Sequence, residues 1–329
     1  SLASGWNTIY PIETYTQSAE DESKFEGKLP GEKSTSFPHD LKGGNPLEVI
    51  RTTPYGNSIT KDFAIKTLEN EKLGKNGSTD FLAISFSSTD YVGHNFGPQS
   101  IELEDTYLRL DKDIAEILTY LDVQYGKDQV LVFLTADHAV AEVPGYANSK
   151  KLPGGVFDRN GSISDMKKAI NQAFGNVDLL VGEENSQLYF NHNLMEKMGI
   201  DAKKLFDVVR KSYQKQAGFS ELINLKDIQG ANLNAQYTQL IINGYHPARS
   251  GDFMILLKPS WFMGSKTGTT HSTLYSYDTH VPLLFYGWKV KPSEIVKRTY
   301  ISDISVTLAN WLHIMEPSGS IGNVITQIP

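Results

Sequence analysis

Apolar residues along the chain follow two rhythms. Between Ile101 and Leu121, the positions Leu103, Tyr107, Leu110, Ile114, Ile117 and Leu121 recur every three or four residues. That spacing is the buried stripe of an amphipathic helix. Phe81–Phe86 and Val130–Leu134 are instead short, β-rich apolar runs of the kind that form buried strands. A strand, a long helix and a strand in this order predict a βαβ crossover with parallel strands covered on both faces. A further helix is predicted over Ile59–Leu73, and Phe253–Leu257 and Val281–Tyr286 are expected to resume the same sheet. Pro282 suits the first residue of a strand or an edge, and a last helix, Asp303 to about Leu312, is capped by Ser302 or Asp303.

Between these elements the texture changes twice. Residues 1–57 are rich in Pro, Gly, Ser, Thr and acidic side chains with little periodicity, which predicts an irregular segment lying on the surface. Residues 153–245 read as a small α+β insertion. It comprises a helix at Ile163–Phe174, strands at Asp178–Val181 and Gln187–Phe190, and a helix from a capping Asp201 to about Gln216. The insertion carries no obvious chemistry. Residues 58–152 and 246–329 then form the main α/β domain.

Composition narrows the class without naming it. The 329 residues are 40% hydrophobic and 21% charged, ordinary for a globular protein. A net charge of -7 and the lack of any basic run argue against a nucleic-acid partner. No apolar run approaches the ~20 residues of a membrane span, and Ser1–Trp6 lacks the basic flank and apolar core of a signal peptide. With no cysteine, disulfides and thiolate metal sites are excluded and the compartment is left undecided. Asn76-Gly77-Ser78 and Asn160-Gly161-Ser162 fit a glycosylation pattern but are read as turns.

Chemistry concentrates just past the predicted strands. Asp90 and His94 lie four apart in a predicted loop containing Gly93, Gly97 and Pro98, and Asp137-His138 follows Val130–Leu134. The carboxyl edge of an open α/β sheet is where such folds build their sites. An Asp-His pair suits a borderline-soft divalent ion, and two pairs suggest two ions. A third cluster, Gly268-Thr269-Thr270-His271-Ser272-Thr273, leads into another strand. Asp90, His94 and His271 would give one zinc three ligands and an open position, with His280 as the rival third ligand. His39, His192, His246 and His313 are read as structural, and Arg249 and Asp252 as a salt bridge or turn contact.

These blocks, D-x-x-G-H-x-x-G-P at Asp90–Pro98, D-H at Asp137-His138 and H-x-x-x-Y-x-Y-D-x-x-V-P at His271–Pro282, resemble the alkaline phosphatase superfamily. The likeness is to the type I phosphodiesterase/nucleotide pyrophosphatase branch, above all to phosphate-irrepressible alkaline phosphatases, and it spans essentially the whole chain. It implies a three-layer αβα sandwich with a mostly parallel sheet. It also implies a zinc-dependent hydrolase of phosphate monoesters or nucleotide-type phosphodiesters, working through a covalent phospho-Thr or phospho-Ser. By the same resemblance Asp90, His94 and His271 hold a first zinc, while Asp137 and His138 give two ligands to a second. A small phosphate ester is the implied substrate, and the periplasm or the exterior the implied location.

The chain departs from the family pattern in its first 80 residues. No strand ending in a metal-binding Asp precedes Asp80, and none of the hydroxyls of Thr52, Thr53 and Ser58 follows one. The expectation is therefore the C-terminal part of a longer enzyme, with its nucleophile upstream, the second zinc site incomplete, and no activity by itself. Ala139 and Ser272 stand where relatives usually have glycine. The absence of a C/S-x-P-x-R motif excludes a sulfatase. A phosphoglycerate mutase, a phosphonate hydrolase and a non-catalytic metal- or partner-binding module of the same fold are the alternatives.

Overall fold

The computed structural model describes residues 4–328, so the first three residues of the expected irregular segment lie outside the described residues. Its first helices are α1 (Pro46–Arg51), α2 (Tyr55–Asn70), α3 (Ser88–Phe96) and α4 (Ile101–Gln124). Then come β1 (Leu131–Thr135), α5 (Pro144–Ser149), β2 (Gly155–Val156), α6 (Arg159–Phe174), β3 (Leu180–Glu184) and β4 (Gln187–Phe190). They are followed by α7 (His192–Met198), α8 (Ala202–Tyr213), β5 (Phe219–Asn224), α9 (Ala235–Gly244) and β6 (Phe253–Leu257). The last elements are β7 (Trp261–Phe262), α10 (Ser276–Thr279), β8 (Leu283–Gly287) and α11 (Ser302–Leu312). No described helix is long and apolar enough to cross a membrane.

Helix ends follow local chemistry where a side chain can reach a free N–H. Ser100 accepts from Leu103 N to start α4, and Asp201 accepts from Lys204 N to start α8. The expected cap of α11 is different. Ile301 holds the cap position without a side-chain bond, and Asp303, the second residue of the helix, accepts from Tyr300 N and Asn323 N instead.

The pairing of strands departs from the parallel sheet expected from the crossover. Strand β1 pairs antiparallel with β8 in a two-stranded sheet. Phe81–Phe86 runs beside β1, its Phe81 ring 6.3 Å from that of Phe133, but joins no ladder. Its residues alternate in exposure. Leu82, Ile84 and Phe86 pack on Leu68, Ile117 and Leu121 of α2 and α4, while Phe81 is exposed. An apolar run fixes that a segment is extended and half-buried, but not which backbone it bonds to. Phe253–Leu257 likewise does not resume the main sheet. As β6 it lies between β4 and β5 in an antiparallel sheet ordered β3-β4-β6-β5. Its Phe253, Ile255 and Leu257 face a core made with Met166, Ile170, Leu188, Leu205 and Val209 of the small α+β unit.

The irregular first segment is packed rather than loose. Trp6 is fully buried with Val92, Phe96 and Leu103 of α3 and α4. Its indole Nε1 donates to Asp105 Oδ2 at 2.7 Å. Asp105, itself fully buried on α4, also accepts from Ile9 N, Tyr15 Oη and Arg109 Nε. The four donors offset the cost of burying its charge. His39 is a structural histidine, as expected: its two ring nitrogens meet Glu32 and Glu102, each at 2.9 Å. Burial acts to lower its pKa, but the hydrogen bonds and charges of Glu102 and Glu32 outweigh it and the net shift is upward.

Removing the shared acceptor leaves several buried donors unpaired, so Asp105→Ala should cost about 3–5 kcal/mol, read as a fall in the denaturation midpoint. A fall no larger than that of an exposed-site control would deny Asp105 this role. Glu26 lies in the same region. Burial first, and then the Glu102 charge, push its carboxyl from 4.5 to about 9. Its stabilising protonated form is fully present below the ordinary value and lost as pH rises through about 9. Glu26→Gln, which keeps the neutral shape, should flatten the decline in stability over that window, and parallel pH profiles for the two proteins would contradict it.

Candidate metal centre

Asp90 and His94 sit on a helix, not in the expected loop. In α3 a spacing of four puts both side chains on one face, with Asp90 Oδ2 3.4 Å from His94 Nε2. Two other segments close on the same carboxylate. His138 Nε2, from the loop after β1, and His271 Nε2, from the loop before α10, each lie 3.8 Å from Asp90 Oδ1. The rings of His138 and His271 stack at 3.3 Å, and those of His94 and His271 are 5.0 Å apart. The donor atoms of Asp90, His138 and His271 all lie within 4.8 Å of one another.

Asp137 behaves differently from its neighbour. Its side chain is 90% exposed, and its Oδ1 accepts from His138 N while standing 3.7 Å from His138 Nε2. It stays at the rim of the group. His280 is exposed and does not join. The candidate hydroxyls are engaged locally: Thr52 Oγ1 bonds Val49 O, Thr53 Oγ1 bonds Ile50 O, and Ser58 Oγ bonds Asp113 Oδ2. Asp252 accepts from Phe190 N and meets His192 and Lys226, the structural role expected of it.

Backbone contacts of one short stretch hold the group together. Thr269 N donates to His94 O at 3.1 Å, and Thr269 O accepts from His94 Nδ1 at 2.8 Å. Thr269 Oγ1 donates to Ala141 O at 2.5 Å, and Ala141 N donates to Thr270 O at 3.3 Å, tying in the loop that carries His138. Gly268, at φ +68°, lies so close that a Cβ there would strike the His94 carbonyl. Only glycine accepts both constraints.

The ring orientations suit a metal. Nδ1 of His94 and of His138 each meets a carbonyl, Thr269 O and Ala139 O, which turns Nε2 of both rings toward Asp90. Burial acts to raise the pKa of Asp90, but the His94 hydrogen bond and the three imidazoles bring it below the usual carboxylate value. Burial and then the nearby His138 lower that of His271, while the bond to Asp90 raises that of His94 against burial. One ionised carboxylate and converging imidazoles form a donor set that fits zinc.

Two contributors escaped the sequence reading. Thr269 gave no signal beyond lying in a small-residue loop before His271. Asp278, within the quoted Y-x-Y-D block, is buried and accepts from Thr273 N and Thr273 Oγ1. Its own carbonyl receives Ala139 N, so α10 braces both the His271 and the His138 loops.

Comparison with known proteins shows the family. The model of the type I phosphodiesterase / nucleotide pyrophosphatase family matches residues 3–282. Alkaline phosphatase PhoV of Synechococcus elongatus is 42% identical over 98% of the chain and 58% of its own length. Alkaline phosphatase PafA of Elizabethkingia meningoseptica is 39% identical over 99% and 60%, and a Myroides odoratus protein named calcium-transporting ATPase is 41% identical over 98% and 60%. The chain thus spans about 60% of the length of these relatives. The crystal structure of wild-type PafA superposes with a TM-score of 0.94 at 38% identity, covering 98% of this chain and 62% of that one. The α/β arrangement is that of the alkaline phosphatase superfamily, and the chain belongs to its type I phosphodiesterase/nucleotide pyrophosphatase family.

Proposed function

We propose that this chain supplies the metal-binding part of a zinc-dependent phosphohydrolase acting on small phosphate monoesters or nucleotide-type phosphodiesters. The convergence of Asp90, His94, His138 and His271 carries this reading. Asp90, His94 and His271 are assigned to a first zinc, and His138 with Asp137 to a second. Zinc bound there would supply Lewis acidity toward the phosphoryl oxygens. The chain's own part is to present ionised Asp90 and the Nε2 atoms of His94 and His138 in a fixed array, with Thr269 and Ala139 setting the ring orientations. The covalent phospho-Thr or phospho-Ser route needs a hydroxyl other than those of Thr52, Thr53 and Ser58, each held in a local bond. The chain by itself is therefore read as inactive. Relatives named alkaline phosphatases support the monoester side, and a periplasmic or exported location is inferred with the family.

Calorimetric zinc titration tests the assignment. The wild-type chain should show a tight site that Asp90→Ala and His271→Ala each weaken by at least about 100-fold, beyond what outer-shell losses cost. His280→Ala should leave it unchanged. Absence of a tight site, or its loss in His280→Ala, would overturn the ligand set. Gly268→Ala, which forces the Thr269 loop off His94, should weaken zinc by about 10–100-fold with secondary structure retained by circular dichroism.

A further inference from the structure

An imidazole that holds a metal ordinarily gives its other ring nitrogen to an acceptor that fixes the ring. Two of the three imidazoles have such a partner: Nδ1 of His94 meets Thr269 O at 2.8 Å, and Nδ1 of His138 meets Ala139 O at 2.9 Å. His271 is less well served. Its Nε2 stands 3.8 Å from Asp90 Oδ1, and among the described residues its Nδ1 meets the Ser272 hydroxyl, at 3.3 Å. That contact is long for a hydrogen bond. Ser272 also makes it from φ +92°, a backbone region that a residue with a Cβ enters at a cost.

The opposite imbalance lies on α10. Asp278 is only 3% exposed. Its Oδ2 accepts from Thr273 N at 2.8 Å and from Thr273 Oγ1 at 2.7 Å, two residues beyond His271. Its Oδ1 is buried and has no donor among the described residues. A buried carboxylate oxygen without a partner is costly, and its presence in a folded chain needs a reason. Burial pushes this carboxyl's pKa up, the Thr273 bonds pull it down, and the charges of His271 and His138 pull it down further. The carbonyl of the same residue accepts from Ala139 N at 2.7 Å. One carboxylate is thus tied to both neighbouring ligand loops and keeps one oxygen uncommitted.

We propose that Asp278 is a positioning residue of the metal centre, whose Oδ1 accepts the Nδ1–H of His271 once that ring holds an ion through Nε2. The inference rests on the metal reading of Asp90, His94 and His271. It gives the third imidazole the kind of partner the other two already have. A carboxylate in this place also makes the ring a stronger ligand than a carbonyl or a hydroxyl would, because it sets a negative charge behind it. Thr273 keeps the carboxylate from turning away, and stacking on His138 at 3.3 Å holds the plane of the ring. The unpartnered oxygen is then a cost in the metal-free chain that is offset when the ion binds.

Zinc titration by calorimetry of the wild-type chain beside Asp278→Asn, with thermal denaturation of both proteins free of metal, tests this. Asparagine keeps an oxygen for Thr273 and places an amide NH₂ where Oδ1 stood. Asp278→Asn should bind zinc about 10–100-fold more weakly, while its metal-free midpoint should not fall. A side chain that only braces the loop would give the reverse, a lowered midpoint with zinc affinity intact, and would overturn the proposal. Ser272→Gly, which removes the hydroxyl and accepts the positive φ, should leave zinc affinity unchanged; a loss there with none in Asp278→Asn would give the role to Ser272. In ¹⁵N-edited NMR of the wild-type chain, the His271 Nδ1–H should appear on zinc loading as a slowly exchanging proton. Its absence from the zinc-loaded chain would overturn the assignment even if Asp278→Asn failed to fold. A wild-type chain without a tight zinc site would remove the metal reading and this inference together. A tight site equally strong in Asp278→Asn would remove this inference alone.

Discussion

The candidate centre depends on one backbone constraint, the docking of Gly268-Thr269 against the end of α3. Three segments distant in sequence carry the donor side chains, and nothing in any one of them fixes its distance from the others. Thr269 does so with three of its own groups: its N–H and C=O both engage His94, and its hydroxyl engages Ala141 ahead of α5. Because His94 is gripped at both its carbonyl and its ring, the imidazole has little freedom to rotate away from Asp90. A side chain at position 268 would push the loop outward at the point where approach is closest, so a single missing Cβ sets the geometry of the whole group.

The first segment enforces that docking from the other side. Gly268 N donates to Phe25 O, and Gly27 N donates to Asn95 O, the residue after His94. The segment is anchored in turn by Trp6, Ile9 and Tyr15 on Asp105 of α4. Its buried polar groups are costly unless paired, and several pair with α4: Trp6, Ile9 and Tyr15 donate to Asp105, and His39 meets Glu102. Irregular backbone of this kind holds its shape through such side-chain bonds, since it has no ladder of its own. It is thus a brace for α3 as much as a surface covering.

The sequence disclosed the chemistry better than the architecture. Asp90, His94 and His138 were identifiable because they fall just past an apolar run, and His271 because it lies in a small-residue loop that leads into another, all local signals. Whether Asp90 and His94 ride on a loop or a helix was misjudged because Gly93, Gly97 and Pro98 read as breakers, whereas Gly93 is simply helical and buried. Asp137 and His138 carry the same sequence signal, and only tertiary placement shows that the carboxylate is exposed at the rim while the imidazole turns toward Asp90. Strand partners were the least legible. Val130–Leu134 and Phe253–Leu257 are both five-residue, wholly apolar runs, yet one pairs with β8 and the other with β4 and β5. The polar face of α4 was invisible for a related reason. Glu102 and Asp105 look like solvent-facing positions until residues some 60 to 100 positions earlier are folded against them.

The insertion changes in meaning once β6 is placed in its sheet. A strand assigned to the main sheet would have left residues 153–245 as an appendage. With β6 at its centre, the insertion's core runs directly into β7 and the stretch that ends at Gly268-Thr269. Tyr275 Oη donates to Leu257 O, and Tyr277 Oη accepts from Ser260 N, which pins the α10 side of the His271 loop to the same strand end. The loop that supplies His271 is therefore held between two bodies, α3 on one flank and the insertion's sheet on the other. Rigid attachment at both ends gives the geometric precision a metal site needs. It also means that a change in the packing of the insertion is transmitted to His271 through covalent and hydrogen-bonded backbone, without a mobile linker in between.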